Sequence, residues 1–285
     1  MNINFAFFGS SRFSTIVLDE LAQAGLIPTL IITTPDKPKG RKLILTGTPV
    51  KEWALKRNIT VFDPQKLDKS FSEKLKAVIN DNKIELFVVA SYGKIIPEAV
   101  IALPLHKTLN IHPSLLPKYR GASPLQYAML DDNKNTGITI ISIDKEMDHG
   151  PIVAQEKVTV SEWPTYEEFE ELMAKKGAEL LARIMPDWIH GKIQEEAQNH
   201  DEASFTKKIS KEDGLLDLVG NPYLNFRKIQ AFHEWPQAYF LHEHGGRMIR
   251  VKITAATWEK DKLIIEHVIP EGSKEMPYAD FLKGY

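Results

Sequence analysis

Residues 3–33 read INFAFFGSSRFSTIVLDELAQAGLIPTLIIT and hold two apolar runs on either side of a helical pattern. The runs, residues 3–8 and 29–33, are almost continuously apolar, which is typical of strands that are buried on both faces. Residues 15–24, between them, have apolar side chains at helical spacing. A buried strand, a helix and a second buried strand in this order predict a mostly parallel sheet.

The same alternation continues along the chain. Residues 86–90 and 108–111 are further candidate strands, and residues 49–57 and 71–79 are candidate helices. We therefore expect an α/β fold with a doubly wound, mostly parallel, Rossmann-like sheet. In such sheets ligands bind beyond the carboxyl ends of the strands. Two longer strands, at 137–143 and 152–160, and a helix that starts at a Thr165–Glu168 capping box should follow.

The chain then divides. Residues 198–204 are polar and are predicted to form a linker between a domain at 1–197 and a smaller domain at 205–285. The smaller domain should contain a helix at 222–232 and short strands at 238–241, 248–255 and 263–269. We expect it to be β-rich and OB-like.

Composition limits the possible functions. Hydrophobic residues make up 43% and charged residues 26%, as in ordinary globular proteins, and the net charge is −2. Cysteine is absent, which excludes disulfides, thiolate nucleophiles, iron–sulfur clusters and cysteine-bound zinc. No apolar run is long enough to cross a bilayer, and the N-terminus has no signal-peptide pattern. We expect a cytoplasmic, monomeric protein.

Residues 108–124, TLNIHPSLLPKYRGASP, carry the chemistry. Asn110 and His112 are two positions apart near a strand end, so their side chains point to the same side. Pro113 cannot continue the ladder and leaves the pair at the end of the strand. An isolated histidine here would more often be structural. The rigid loop rich in proline and glycine that follows favours a functional site.

This loop resembles the signature loop of formyltransferases that use 10-formyltetrahydrofolate. Other matching segments extend over nearly the whole chain, and they are similar to the methionyl-tRNA formyltransferase branch: residues 8–10, 35–41, 48–51, 89–94, 147–151, 208–212, 229–239 and 270–276. The resemblance implies a catalytic set of Asn110, His112 and Asp148. It also implies a reduced folate as formyl donor, initiator methionyl-tRNA as partner, and no metal.

The reaction itself needs such residues. An amine that attacks a formyl amide develops negative charge on the oxygen, which the Asn110 amide and a protonated or hydrogen-bonded His112 can stabilise. A carboxylate can accept the amine proton. Asp148 suits this role, although an aspartate before Gly150 is also a common turn residue. The resemblance assigns the role to Asp148 and not to Asp144.

The resemblance also implies the substrate contacts. The backbone near residues 91–93 and 143–148 should read the pterin ring, and residues 114–117 should line the folate groove. The predicted folate-binding residues are Ser91, Tyr92, Gly93, Ser114, Leu115, Leu116 and Pro117. The leucines could equally be ordinary core anchors of the loop.

A basic loop and a near-neutral tail bear on the acceptor. The positive charge of the loop at 36–51 suits contact with phosphates, and a solvated surface loop is the alternative. The resemblance implies that this loop meets the acceptor end of the tRNA, with Arg41 in the matching position, so the predicted tRNA-binding residues are Lys37, Lys39, Arg41 and Lys42. Residues 204–285 contain twelve Lys and Arg against eleven Asp and Glu, a net charge of +1. This tail is shortened and less basic than the resemblance implies. A formyltransferase for a small amine, such as a nucleotide-linked amino sugar, is therefore the alternative function. A folate hydrolase and a non-enzymatic folate- or RNA-binding protein are further alternatives.

Overall fold

A computed structural model describes residues 3–40 and 43–285. The strands, in chain order, are β1 Phe5–Phe8, β2 Leu30–Ile32, β3 Lys37–Lys39, β4 Ile44–Thr46, β5 Thr60–Phe62, β6 Leu86–Val89, β7 Thr108–His112, β8 Arg120–Gly121, β9 Asn135–Ser142, β10 Ile152–Thr159, β11 Phe205–Thr206, β12 Tyr239–His244, β13 Arg247–Glu259, β14 Lys262–Pro270 and β15 Met276–Pro277. The helices are α1 Arg12–Gln23, α2 Pro49–Leu55, α3 Lys69–Asn82, α4 Glu98–Ile101, α5 Pro124–Leu130, α6 Tyr166–Ile189, α7 Pro222–Ala231 and α8 Tyr278–Gly284. None of these helices has both the length and the apolar character of a membrane span.

The first of two compact units holds residues up to 120 together with 137–158 and 171–204. Its seven-stranded sheet has the order β10-β9-β7-β6-β1-β2-β5. Strands β1, β2, β5, β6 and β7 are joined by parallel pairings, whereas β9 is antiparallel to β7. The predicted mostly parallel α/β sheet is thus confirmed.

The two faces of this sheet are buried by different helices. One face carries Phe8, Ile32 and Val89, which form a buried apolar cluster with Phe71 and Leu75 of α3. Apolar burial of this kind contributes roughly 1.5–3 kcal/mol for each large side chain.

On the other face, Ile111 of β7 packs against α6. A Cβ added at Gly177 of α6 would lie 2.5 Å from Ile111 Cγ2, so the glycine allows the close approach. Because side chains alternate along a strand, Asn110 and His112 point away from α6.

Some local structure differs from the sequence prediction. Strand β7 was predicted to end at residue 111, but it continues to His112, because Thr139 of β9 pairs with His112. The basic loop, predicted without secondary structure, contains the β3–β4 hairpin, in which Lys37 pairs with Thr46. Its strands are three residues each, too short for an alternating pattern to be visible.

The second unit holds residues 121–136, 159–170 and 205–285. Its antiparallel sheet has the order β12-β13-β14-β15, which confirms the small β-rich domain. Ile229 of α7, Phe281 of α8, and Val251 and Val268 of the sheet share its buried core.

The predicted capping box is formed at the start of α6, where Thr165 N donates to Glu168 Oε2 at 2.9 Å. The boundaries 1–197, 198–204 and 205–285 stay a prediction.

Candidate functional site

His112 is held at the end of β7 by a backbone carbonyl. Its side chain is buried, and its Nε2 lies 2.9 Å from the carbonyl oxygen of Tyr119. Because a carbonyl oxygen only accepts hydrogen bonds, Nε2 must carry a proton. The other ring nitrogen, Nδ1, is therefore the one that faces reaction space.

Asp148 reaches that nitrogen from the loop between β9 and β10. The loop starts beside the first residue of β7, where Ile143 N donates to Thr108 O at 2.8 Å. Asp148 Oδ1 lies 3.6 Å from His112 Nδ1, an ion-pair separation that is too long for a direct hydrogen bond. The structure thus brings together His112 and Asp148, which are far apart in sequence.

Asp144, the other acidic candidate in this loop, has a different partner. Its Oδ2 lies 2.6 Å from Nδ1 of His149, and the His149 ring stacks on His200 with centroids 4.0 Å apart. His149 is half-buried in this contact. The carboxylate beside His112 is therefore that of Asp148 and not that of Asp144.

Asn110 completes the set on the same face of β7. It pairs with Val89 of β6 and Ile141 of β9 and is half-buried. Within residues 3–40 and 43–285 no hydrogen bond to its side-chain amide is found. The amide N–H groups can therefore donate to a substrate oxygen.

The loop after β7 is fixed by two residues that the sequence analysis missed. The buried Thr139 donates its hydroxyl to Ser114 O at 2.6 Å and accepts from Leu116 N at 3.0 Å. Gln155 of β10 donates to Leu116 O at 3.0 Å. Thr139 stands between two isoleucines of a buried strand. A polar residue in such an apolar run was the signal available in the sequence.

The predicted folate residues lie in two loops. Ser91 and Gly93, after β6, are exposed and have left-handed backbones with φ of 50° and 76°, whereas Tyr92 between them is buried. Ser10 holds this loop through a hydrogen bond from its hydroxyl to Tyr92 O at 2.9 Å. Burial raises the pKa of Tyr92 to about 12.

In the second loop, Ser114 and Leu116 are buried and Leu115 and Pro117 are half-buried. The Ser114 hydroxyl donates to Lys118 O at 2.6 Å, so it stabilises the loop itself. The folate roles of all seven residues stay predictions.

Two exposed apolar side chains were also missed. Ile95 follows the β6 loop and is 85% exposed, and Met147 precedes Asp148 and is 64% exposed. Large apolar side chains in water are candidates for ligand contact when they flank a polar site. Ile95 lies two residues after the predicted pterin-reading segment 91–93, and Met147 lies inside the segment 143–148. These positions were the signal that could have identified both side chains.

The basic hairpin is exposed and anchored at its base. Lys37 and Lys39 lie on β3 and are exposed, whereas Arg41 and Lys42 fall outside the described residues. Lys51, at the end of the loop, lies 2.8 Å from Asp36 and 2.7 Å from Asp63. The hydrogen bond with Asp36 contributes most to raising the pKa of Lys51. Lys51 is therefore committed to the hairpin base.

Comparison with known proteins agrees with this geometry. The formyl transferase family model matches residues 1–185. A methionyl-tRNA formyltransferase of Sulfurihydrogenibium sp. is 38% identical over 82% of this chain and 74% of its own length. That of Koribacter versatilis is 34% identical over 98% of this chain and 95% of its own length.

Solved structures show the same fold at lower identity. A methionyl-tRNA formyltransferase from Clostridium thermocellum has a TM-score of 0.63 at 16% identity, over 94% of this chain and 98% of its own. A sugar N-formyltransferase from a Shewanella species also has a TM-score of 0.63, at 20% identity, over 90% of this chain and 99% of its own. The family match and the relatives above 30% identity show that this chain belongs to the formyl transferase family, in its methionyl-tRNA formyltransferase branch.

Proposed function

We propose that the protein transfers a formyl group from 10-formyltetrahydrofolate to the α-amino group of methionyl initiator tRNA. The observation that carries the proposal is the 3.6 Å approach of Asp148 to His112, with the Asn110 amide on the same face of β7. Relatives at 34–38% identity are methionyl-tRNA formyltransferases, which supports tRNA as the acceptor.

The site provides hydrogen-bond donors for the formyl oxygen. Asn110 offers its side-chain amide. His112 already donates from Nε2 to Tyr119 O, so only Nδ1 is available to the substrate. Nδ1 can donate only when it carries a proton, which means that His112 acts as an imidazolium. Two preorganised donors at a developing oxyanion are the usual source of rate in acyl transfer.

Asp148 accepts the proton in this scheme. The amine nitrogen forms a bond to the formyl carbon while the bond from that carbon to the folate nitrogen breaks. The amine loses one proton and the folate nitrogen gains one, so no other reactant is needed. Asp148 takes the proton from the amine directly or through a water, and it returns a proton to the leaving nitrogen.

The residues present suit a reduced folate. Ser91 and Gly93 of the β6 loop are exposed, and Ser91 O already accepts from Ser10 N at 3.2 Å. Their backbone N–H groups and the Gly93 carbonyl are therefore the groups that can read a ring edge with donors and acceptors. Ile95 and Met147 offer exposed apolar surface for the flat ring. Folate supplies the activated formyl group, and the contacts of Ser114, Leu115, Leu116 and Pro117 would hold it in the groove.

An acceptor screen tests the proposal. The purified protein is given 10-formyltetrahydrofolate with charged initiator tRNA, charged elongator tRNA or a nucleotide-linked amino sugar, and Asp148→Ala serves as the control for background transfer. We expect formylation of initiator methionyl-tRNA well above both other acceptors.

A formyltransferase for a small amine is the second candidate. The net charge of +1 over residues 204–285 favours it, because a tRNA-binding domain is expected to carry excess positive charge. Formylation of the amino sugar without formylation of tRNA would replace the first proposal with this one.

A further inference from the structure

Gln198 is bonded at both ends of its side chain beside the Asp148 loop. Its Nε2 donates to Asp148 O at 2.9 Å and to Gly150 O at 2.7 Å. Its Oε1 accepts from Arg120 Nε at 3.1 Å and from Arg120 Nη2 at 2.6 Å. Gln198 and Arg120 are only 5% and 3% exposed. The glutamine therefore connects the loop to a buried guanidinium.

The orientation of this amide is fixed by chemistry. A guanidinium can only donate, so the group facing Arg120 must be the oxygen. The carbonyl oxygens of Asp148 and Gly150 can only accept, so the group facing them must be the NH2. Both amide hydrogens and the amide oxygen are thus engaged, and a flipped amide would lose all four contacts.

The backbone of the segment that Gln198 holds is left-handed at Asp148. Its φ is 51°, a conformation that residues other than glycine adopt uncommonly, although aspartate tolerates it better than most. Such a conformation persists when surrounding contacts impose it. Two residues later, a Cβ added at Gly150 would overlap Ser142 O, so the loop also runs against β9. The contacts from Gln198 flank residue 149 on both sides.

The same scaffold also reaches His112. His112 Nε2 is bonded to the carbonyl of Tyr119, and Arg120 is the next residue. Arg120 Nη2 also donates to His200 Nδ1 at 2.8 Å, and the His200 ring stacks on His149. Both residues of the 3.6 Å pair are therefore connected to Arg120. His112 is bonded to Tyr119, which precedes Arg120 in the chain, and the Asp148 backbone is bonded to Gln198, which accepts from Arg120.

We propose that Gln198 is the positioning residue for Asp148 in formyl transfer. It holds the Asp148 backbone so that the carboxylate stays at its distance from His112, and Arg120 in turn holds Gln198. This inference rests on the proposed function, because it assumes that Asp148 accepts the amine proton. Gln198 itself touches neither substrate.

Two substitutions test the hydrogen bonds of the Gln198 side chain. Gln198→Met keeps the length but removes all four hydrogen bonds. Gln198→Glu keeps an acceptor for Arg120 but places an oxygen against the two carbonyls. Both variants should lower kcat by between about tenfold and about a hundredfold, the scale for small misplacements of a catalytic group, with KM for folate and acceptor changed less than about threefold. Gln194→Met, at an exposed glutamine of the same segment, should leave kcat unchanged.

A double-mutant cycle with Asp148 distinguishes positioning from general support. If Gln198 acts through Asp148, adding Gln198→Met to Asp148→Ala should not lower single-turnover transfer further, because both changes affect one interaction. A full additional loss in the Asp148→Ala background would overturn the proposal. So would wild-type kcat in Gln198→Met, or failure of both Gln198 variants to fold in a thermal melt, since the residue would then be needed for the structure as a whole.

A measurement without substrate separates this inference from the proposed function. Backbone hydrogen exchange of the peptide spanning residues 144–151 should be faster in Gln198→Met than in the wild type and in Gln194→Met. Faster exchange in a protein that formylates no acceptor would support positioning of the Asp148 loop by Gln198 and reject the proposed function. Unchanged exchange would reject positioning by Gln198, whatever the activity.

Discussion

His112 Nδ1 and Asp148 Oδ1 lie 3.6 Å apart, with the imidazole nearly buried and the carboxylate 14% exposed. The separation leaves no direct hydrogen bond, yet it is short enough for strong attraction between an imidazolium and a carboxylate. Since Nε2 is committed to Tyr119, an added proton must reside at Nδ1, directly opposite the carboxylate. The gap therefore separates the donor at Nδ1 from the carboxylate that is proposed to accept the amine proton.

Removing the side chain of Asn110, His112 or Asp148 should slow transfer without unfolding the protein. We expect Asn110→Ala, His112→Ala and Asp148→Ala each to reduce kcat by roughly two to three orders of magnitude, measured with saturating formyl donor. The losses should not add in double variants, because the residues act on one transition state.

Asp144→Ala is the matched control for the Asp148 variant. It removes a carboxylate from the same loop, but one that is bonded to His149 and not to His112. Its kcat should stay near that of the wild type. Near-normal turnover in Asp148→Ala together with loss in Asp144→Ala would show that the wrong aspartate had been assigned.

The main sheet was predictable because its strands are buried on both faces. Residues 3–8 and 86–90 read as continuous apolar runs, and the structure places β1 and β6 at the centre of the sheet as neighbours. The β3–β4 hairpin was not predictable, since its three-residue strands carry exposed lysine and proline. Tertiary context decides such short segments.

The candidate site was predictable only in part. Asn110 and His112 share a strand, so their common direction follows from the period of two. The approach of Asp148 to His112 depends on a loop that folds back across the sheet, which no local pattern records. Gln198 looked like part of a polar linker, because a sequence does not show that its amide is buried and fully bonded.

Folate binding should stabilise the protein. A reduced folate that binds the native state alone should add roughly 3 kcal/mol at a hundredfold excess over its dissociation constant. Thermal melts across a folate titration measure this, with a pteridine-free analogue of the glutamate tail as control. A melting temperature that does not change over the whole titration would exclude the predicted folate site.

Tyr92→Phe should increase stability while leaving folate affinity unchanged. Among residues 3–40 and 43–285 the buried Tyr92 hydroxyl has no hydrogen-bond partner, and its removal should recover about 1 kcal/mol of unfolding free energy. Folate affinity should persist because the predicted contact there is made by the backbone. Weaker folate binding would instead place the hydroxyl in the pterin site.

The raised pKa of Tyr92 also predicts how the stability of the wild type depends on pH, with Tyr92→Phe as the reference. Burial raises the pKa of Tyr92 to about 12 from a usual value of 10.0, so the folded state favours the neutral phenol. The resulting stability is complete below pH 10 and is lost as the pH rises toward 12. Denaturant unfolding from pH 9 to 12 should therefore show a steeper fall for the wild type than for Tyr92→Phe.

The basic hairpin should determine the use of tRNA and not of folate. Lys37 and Lys39 are exposed on β3, and Arg41 and Lys42 continue the same basic run. Lys37→Ala and Arg41→Ala should each weaken binding of charged initiator tRNA, and the slope of log affinity against log salt should fall by about one for each phosphate contact removed. Folate affinity should not change. Lys76→Ala, which removes the same charge from the exposed side of α3, is the control and should keep the wild-type slope. A flat salt response in the wild type, in Lys37→Ala and in Arg41→Ala would exclude phosphate contact by these basic residues and favour a small amine as the acceptor.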